Sequence, residues 1–382
     1  MLTTTAFLNH LRQRFQGDYV FSNAQTVTID PFFEPFWDLF GHSKIASCSV
    51  ETRESGTTAT FLSRLAVCAS QLKHLQLQVP VSSTLIEVLE SQTSLFSACT
   101  SLRSFCGQLS VSSPNIPSPG IHLLATPSLF RPFTLSKLTQ LELSGPDEYL
   151  SAFIRASSLS LLESIKLCFL TNHMRDGQLD PGFTRGFVAV IDALSRFVHL
   201  RSLSISADEP SGSPAVLSSN IFVPLTRLHL LTRLQTENLF VDLQPGHIPQ
   251  LAEAWPHMRE LRLVYNPRYT PRDQHPRPSI CVEDLLPFGT HCPELQEVAV
   301  VVAADLAHSA TPRADVPLVH SNGRELYLGS FLVQPGEECA RTVRFIRGVL
   351  RGACDSLMML DAQELVAVQA FLGEACMPVG SM

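Results

Sequence analysis

The chain has 382 residues, 45% of them hydrophobic and 16% charged, with a net charge of −7 and a pI near 6.0. That balance makes a core-forming chain and excludes a disordered one. It also gives no footing for nucleic acid, whose phosphates need clustered Lys and Arg. The ten cysteines occur singly, with no CxxC spacing, and read as free, mostly buried thiols. The first residues carry no basic stretch followed by a sustained apolar core, so no signal peptide is expected. No run of eighteen or more apolar residues and no Asn-x-Ser/Thr sequon occurs, which predicts an intracellular protein, cytoplasmic or nuclear, with no membrane partner.

Taken in chain order, residues 1–23 read as an N-terminal cap, after which one spacing recurs: apolar, two residues, apolar, one residue, apolar. It appears as Ala24-x-x-Val27-x-Ile29, Ile45-x-x-Cys48-x-Val50, Leu72-x-x-Leu75-x-Leu77 and, weakly, Leu102-x-x-Phe105. Next come Leu138-x-x-Leu141-x-Leu143, Leu162-x-x-Ile165-x-Leu167, Leu200-x-x-Leu203-x-Ile205 and Leu225-x-x-Leu228-x-Leu230. The last copies are Met258-x-x-Leu261-x-Leu263, Leu295-x-x-Val298-x-Val300 and Gly323-x-x-Leu326-x-Leu328, so the periods run unevenly from 21 to 38 residues. The alternation inside each copy predicts a half-buried strand. A further apolar residue three places ahead (Ala69, Cys99, Leu135, Leu159, Phe197, Phe222, Trp255, Cys292) is placed to close the corner into that strand.

Between strands, helical spacing covers 61–69, 85–96, 149–154, 187–197, 248–255 and 282–288. One strand with one return segment cannot bury its apolar face alone, whereas stacked neighbours can. The expected architecture is therefore an α/β solenoid over residues 24–335, with parallel strands on a concave face and helices or irregular turns on the convex one. Four polar, Pro-rich insertions at 112–120, 207–220, 266–279 and 305–322 each follow a predicted strand, so all four should leave from one edge. Residues 342–357 and 362–375 read as two amphipathic helices, and 336–382 as a C-terminal cap.

The set of repeats resembles the irregular leucine-rich repeats of fungal F-box/leucine-rich-repeat proteins. Cys292-Pro-Glu-Leu295-Gln-Glu-Val298 carries the resemblance, with Trp255-Pro-His-Met258-Arg-Glu-Leu261-Arg-Leu263 and Cys99-Thr-Ser-Leu102-Arg-Ser-Phe105 as looser copies, over roughly residues 20–330. The resemblance implies a protein-binding scaffold that selects substrates for a ubiquitin ligase. Two features depart from the family. The asparagine usual at the ninth repeat position is mostly missing, and the F-box, a short helical module opening with Leu-Pro, is not visible before Ala24. Docking to a ubiquitin-ligase adaptor therefore has no matching residues here and would need an F-box encoded upstream.

No catalytic motif is present: no GxSxG, HExxH, GxxxxGK[ST] or helix-opening GxGxxG. His291–Cys292 pairs a thiol with an imidazole in sequence only, because neighbours in an extended segment point to opposite faces. The triplet Asp273-Gln-His275 sits in a Pro-rich insertion without a rigid frame. No catalytic residue, cofactor or metal is expected, and what remains is the sheet surface. The concave-face candidates for holding a protein partner are His74, Gln76, Gln140, Glu142, Lys166, Arg227, His229, Glu260, Arg262, Glu297 and Tyr327. Arg227, Arg262 and Tyr327 are the expected centre, since Arg and Tyr are enriched where binding energy concentrates. The alternatives are an enzyme with its site in the insertions or C-terminal helices, and a degenerate F-box relative that binds no adaptor.

Overall fold

The computed structural model describes residues 13–14, 25–29, 45–51, 55–80, 85–110, 130–170, 181–208, 215–264, 279–280, 282–301, 325–329 and 356–359. The chain forms two compact units, Met1–Asn172 with Arg185–His199, and His173–Thr184 with Leu200–Met382. Both are α/β, built on parallel strands taken in sequence order.

The first unit begins with strands β1 (Thr26–Ile29) and β2 (Ser47–Glu51), helix α1 (Ser55–Cys68), strand β3 (His74–Pro80), helix α2 (Leu85–Ala98) and strand β4 (Ser104–Ser110). It continues through β5 (Phe133–Thr134), β6 (Gln140–Gly145), helix α3 (Asp147–Ala156), β7 (Ser157–Ser158) and β8 (Ser164–Phe169). Helix α4 (Pro181–Leu194) follows, and its residues from Arg185 onward belong to this unit. The parallel order is β1-β2-β3-β4-β6-β8, with β5 and β7 paired separately. The register places Val27, Cys48, Leu75, Phe105, Leu141 and Ile165 in one inward row.

The second unit contains β9 (Ser202–Ala207), β10 (Ala215–Ser218), a 3-10 segment (Ser219–Arg227), β11 (Arg233–Glu237) and β12 (Leu239–Asp242). Helix α5 (Ile248–Ala254), β13 (Glu260–Val264), a 3-10 turn (Val282–Leu285), helix α6 (Leu286–His291), β14 (Glu297–Val301), β15 (Glu325–Gly329) and β16 (Ser356–Met359) complete it. Its parallel order is β9-β11-β13-β14-β15-β16, with the inward row Leu203, Leu234, Leu261 and Val298, and Leu326 and Leu357 in register with it. Between β11 and β12 the chain turns at Asn238, which takes a positive φ of 59° and donates from Nδ2 to the Ala207 carbonyl at 3.2 Å. Asparagine tolerates that left-handed conformation better than most residues.

One backbone device joins the rungs. The Gln25 carbonyl accepts the amides of Ala46 and Ser47, that of Ala46 accepts Lys73 and His74, and that of Lys73 accepts Arg103 and Ser104. Arg103, Thr139, Arg201, Thr232 and Arg259 repeat it. Just ahead lies a tight turn: the amide three residues on donates back to Ala69, Cys99, Leu135, Leu159, Leu228, Trp255 or Cys292. All seven side chains are buried, so the corner residue satisfies its carbonyl and fills the core at once.

The weak copy at Leu102 has a packing cause. Gly107 stands in the inward row where β3 has Leu77 and β6 has Leu143. A Cβ there would come within 2.8 Å of the Phe105 ring, which occupies that space. Phe105 is part of an aromatic cluster with Phe96, Phe130, Phe133, Tyr149 and Phe153; Phe96–Phe105 is edge-on at 4.9 Å and Phe105–Phe153 stacked at 5.6 Å.

Three expectations need correction. The copy at Leu225 is out of frame, because residues 219–227 form the 3-10 segment and the strand is Arg233–Glu237, with Leu231, Leu234 and Thr236 in the inward places. The stretch 207–220 is no plain insertion, since it holds the end of β9 and all of β10, which pairs with β12. Ser356–Met359 is a strand paired with β15, not the tail of a helix ending at Leu357, so the sheet extends past residue 335. The remaining parts of the C-terminal helices, the N-terminal cap beyond 13–14 and most of the four insertions lie outside the described residues. Strands β4, β9, β13 and β14, which precede those insertions, end at Ser110, Ala207, Val264 and Val301. Among the described residues no helix is long and apolar enough to cross a membrane.

Candidate interaction face

Strand alternation puts the side chains between the inward rows on the opposite, open face of each sheet. In the first unit that face is mostly neutral. His74, Ser104, Gln140 and Ser164 form one cross-strand row, and Gln76, Cys106, Glu142 and Lys166 the next. His74, Gln76, Gln140, Glu142 and Lys166 are all exposed, as expected. On this face an ion pair joins Lys166 Nζ to Glu142 Oε1 at 3.0 Å, both side chains about half exposed. Between them, burial and the Glu142 carboxylate push the Cys106 thiol up to about 11, which keeps it neutral and unreactive.

The second unit presents charge. Ser202, Arg233, Glu260 and Glu297 stand in one row across β9, β11, β13 and β14, and Ser204, Gln235, Arg262 and Ala299 in the next. Arg233 Nε lies 2.5 Å from Glu260 Oε2. Arg262 Nε lies 3.0 Å from Glu297 Oε1, a charge contact rather than an aligned hydrogen bond. At the corner ahead of these strands, Arg259 donates through Nε and Nη2 to Glu294 Oε2 at 2.9 and 2.6 Å, and His257 Nδ1 meets Oε1 at 3.2 Å. Those hydrogen bonds hold the Glu294 carboxyl below its usual range, Arg259 contributing most.

Ser202, Thr232, Arg233, Arg259, Glu260, Gln296 and Glu297 line a hollow of about 500 Å³ over the start of these four strands. Among the charged lining side chains, Arg233 and Arg259 are 55% and 58% exposed, against 15% for Glu260 and 21% for Glu297. The outermost groups of the hollow are thus cationic, while the acids lie beneath them.

Glu260, Arg262 and Glu297 lie together as expected. Arg227 and His229 do not. Arg227 ends the 3-10 segment, and His229 lies in the following turn, donating from Nδ1 to the Ala254 carbonyl at 3.2 Å. Their places on the face belong to Arg233 and Gln235, with the exposed Glu237 beyond. The sequence signal for Arg233 was the turn Leu228–Leu231, whose following strand carries the polar Thr236 in an inward place and so escapes an all-apolar template. Tyr327 is on β15, in backbone register with Ala299.

Among the described residues, Ser219 Oγ and His247 Nδ1 meet at 2.8 Å, a hydroxyl beside an imidazole. Ser219 is fully buried, and its hydroxyl also accepts the Gln244 amide at 3.0 Å, so the contact ties a turn and offers no nucleophile. Cys292 is buried with its Sγ donating to the Ala252 and Trp255 carbonyls, and burial pushes its thiol up to about 12. Among the described residues no group of three His, Cys, Asp or Glu could hold a metal ion.

A scan of the chain against protein-family models finds no match, and a search of curated proteins finds no related sequence.

Proposed function

We propose that the chain is an intracellular interaction scaffold, an irregular leucine-rich-repeat solenoid of the kind found in F-box proteins, whose open sheet face holds a partner protein. The hollow over β9, β11, β13 and β14 carries this reading. It is concave and polar, and it displays Arg233 on β11 and Arg259 at the corner ahead of β13. Arginine is enriched at the centres of protein interfaces because a guanidinium combines apolar area with five fixed donors. The resemblance of Trp255–Leu263 and Cys292–Val298 to the repeats of F-box/leucine-rich-repeat proteins implies substrate selection for a ubiquitin ligase as the cellular role.

The test is site-directed photo-crosslinking in the full chain. A crosslinker at Gln235, on the open face, should capture a discrete partner from extracts of the native organism, whereas one at the exposed Val67 of α1 should not. Capture that is equal at both positions would sink the face as a binding surface. For the ligase role, the captured complex should also contain a ubiquitin-ligase adaptor when the product of the whole gene is used; its consistent absence would remove that role and leave the scaffold.

A further inference from the structure

We infer that the segment held at the hollow is acidic, an extended stretch of a partner protein carrying Asp or Glu, read by Arg233 and Arg259; this rests on the scaffold reading above. The layering of charge is the argument. An approaching chain meets guanidiniums first, since Glu260 is 15% exposed while its partner Arg233 is 55% exposed. Arg259 repeats the pattern at 58% against 39% for Glu294.

The arginines can serve a second carboxylate without leaving the first. A guanidinium has five N–H donors, and the contact of Arg233 with Glu260 is through Nε, while Arg259 spends Nε and Nη2 on Glu294. Alternate side chains of an extended segment stand about 7 Å apart, within reach of guanidiniums rooted on strands about 4.8 Å apart. The chain's overall charge of −7 opposes an acidic partner only at long range. At physiological salt that repulsion is screened beyond about 8 Å, so the guanidiniums at the surface decide the sign. A basic segment would have to displace them to reach the sunken carboxylates.

The experiment pans a display library of random peptides on the full chain and measures the winners, as labelled synthetic peptides, by fluorescence anisotropy. The key variant is the swap Arg233→Glu with Glu260→Arg, which keeps the ion pair but places the acid outermost; Arg259→Gln is the second, and circular dichroism melts confirm that each folds. The expected result is enrichment in Asp and Glu, with affinity lowered about tenfold or more by the swap. Acidic peptides that bind both variants as well as the parent would overturn the inference. Neutral or basic winners that are nevertheless lost in the swap would overturn the acidic partner and leave the scaffold standing. Winners of any kind that ignore every substitution on this face would bring down both.

Discussion

The two units repeat one backbone plan and finish it with opposite chemistry. In the first, six aromatic rings cluster in the core and the open face is mostly neutral; in the second, the buried aromatics Phe222, Phe240, Trp255 and Phe288 accompany aliphatic inward rows and the open face carries ion pairs. The shared part is the doubled acceptor at each strand start and the tight turn ahead of it, which depend on backbone and one buried corner residue. Everything else is free to vary, which is how periods from 21 to 38 residues still feed strands in register. The difference locates stability in the core chemistry of each unit and specificity in its face. That division can be broken experimentally.

The largest effect is expected at Phe153, fully buried and packed against Phe96, Phe105, Phe130, Phe133 and Tyr149. Phe153→Ala should cost roughly 3–5 kcal/mol through lost burial and the cavity left behind. Hydrogen exchange read by mass spectrometry should show protection falling in β4, β6 and β8. Equal loss in β11 and β13 would show that the two cores are not energetically separate.

Asp147 gives the first unit a pH signature. Burial and the neighbouring Glu148 push its carboxyl from 3.8 up to about 8. The fold therefore keeps a proton that the unfolded chain releases, and stability falls as pH rises from about 4 to about 8. In Asp147→Asn that slope should flatten in urea midpoints taken across the range; an unchanged slope would assign it elsewhere.

Arg196 closes helix α3 from outside. Its guanidinium donates to the carbonyls of Ile154, Arg155 and Ser157, and it stacks over Phe197 with its carbon 4.9 Å from the ring centroid. Cation and donors together suit a helix C-terminus. Arg196→Ala should lower stability by about 1–3 kcal/mol, and Arg196→Lys should recover only part, because an ammonium cannot reach three carbonyls in a fork. Full recovery by lysine would reduce the role to simple charge.

How far all this was legible depends on where polar residues fall. The strands at Leu75, Leu141, Leu203, Leu261 and Val298 could be read because every inward place is apolar and the corner residue sits three ahead. The strand at Leu234 could not, because Leu225, Leu228, Leu231 and Leu234 repeat every three residues and allow more than one frame, while Thr236 breaks the alternation. β16 was hidden by continuous apolar residues, Leu357-Met358-Met359, which suit a helix face as well as a strand. The side-chain pairing on the face, and above all which charge lies outermost, has no sequence signature, since it follows from cross-strand register.

Thr236 offers a sharper check on that frame. It is fully buried between Ile205 and Leu263, and its hydroxyl has no hydrogen-bond partner. Thr236→Val keeps the shape and removes an unsatisfied polar group, so it should stabilise the protein by about 1 kcal/mol. A loss in thermal midpoint instead would mean that the hydroxyl is bonded, and the inward frame at β11 would need revision.

The smallest effect bears most directly on the two faces. Double-mutant cycles on Glu142–Lys166 and on Arg233–Glu260 compare the same kind of pair on each. The first joins side chains 54% and 48% exposed at 3.0 Å, so its coupling should lie near the bottom of the range of about 0.2–1 kcal/mol for solvated pairs. In the second, Glu260 is 15% exposed and Arg233 reaches it at 2.5 Å, so its coupling should sit near the top and fall less with added salt. The ordering matters more than either value. If Arg233 were strongly locked to Glu260, with coupling well above about 1 kcal/mol, an incoming carboxylate would have to compete for it; near 1 kcal/mol the pair positions the guanidinium while leaving it able to bind outward. Equal coupling in both cycles would remove the contrast between the faces, and with it the reason to place partner recognition in the second unit.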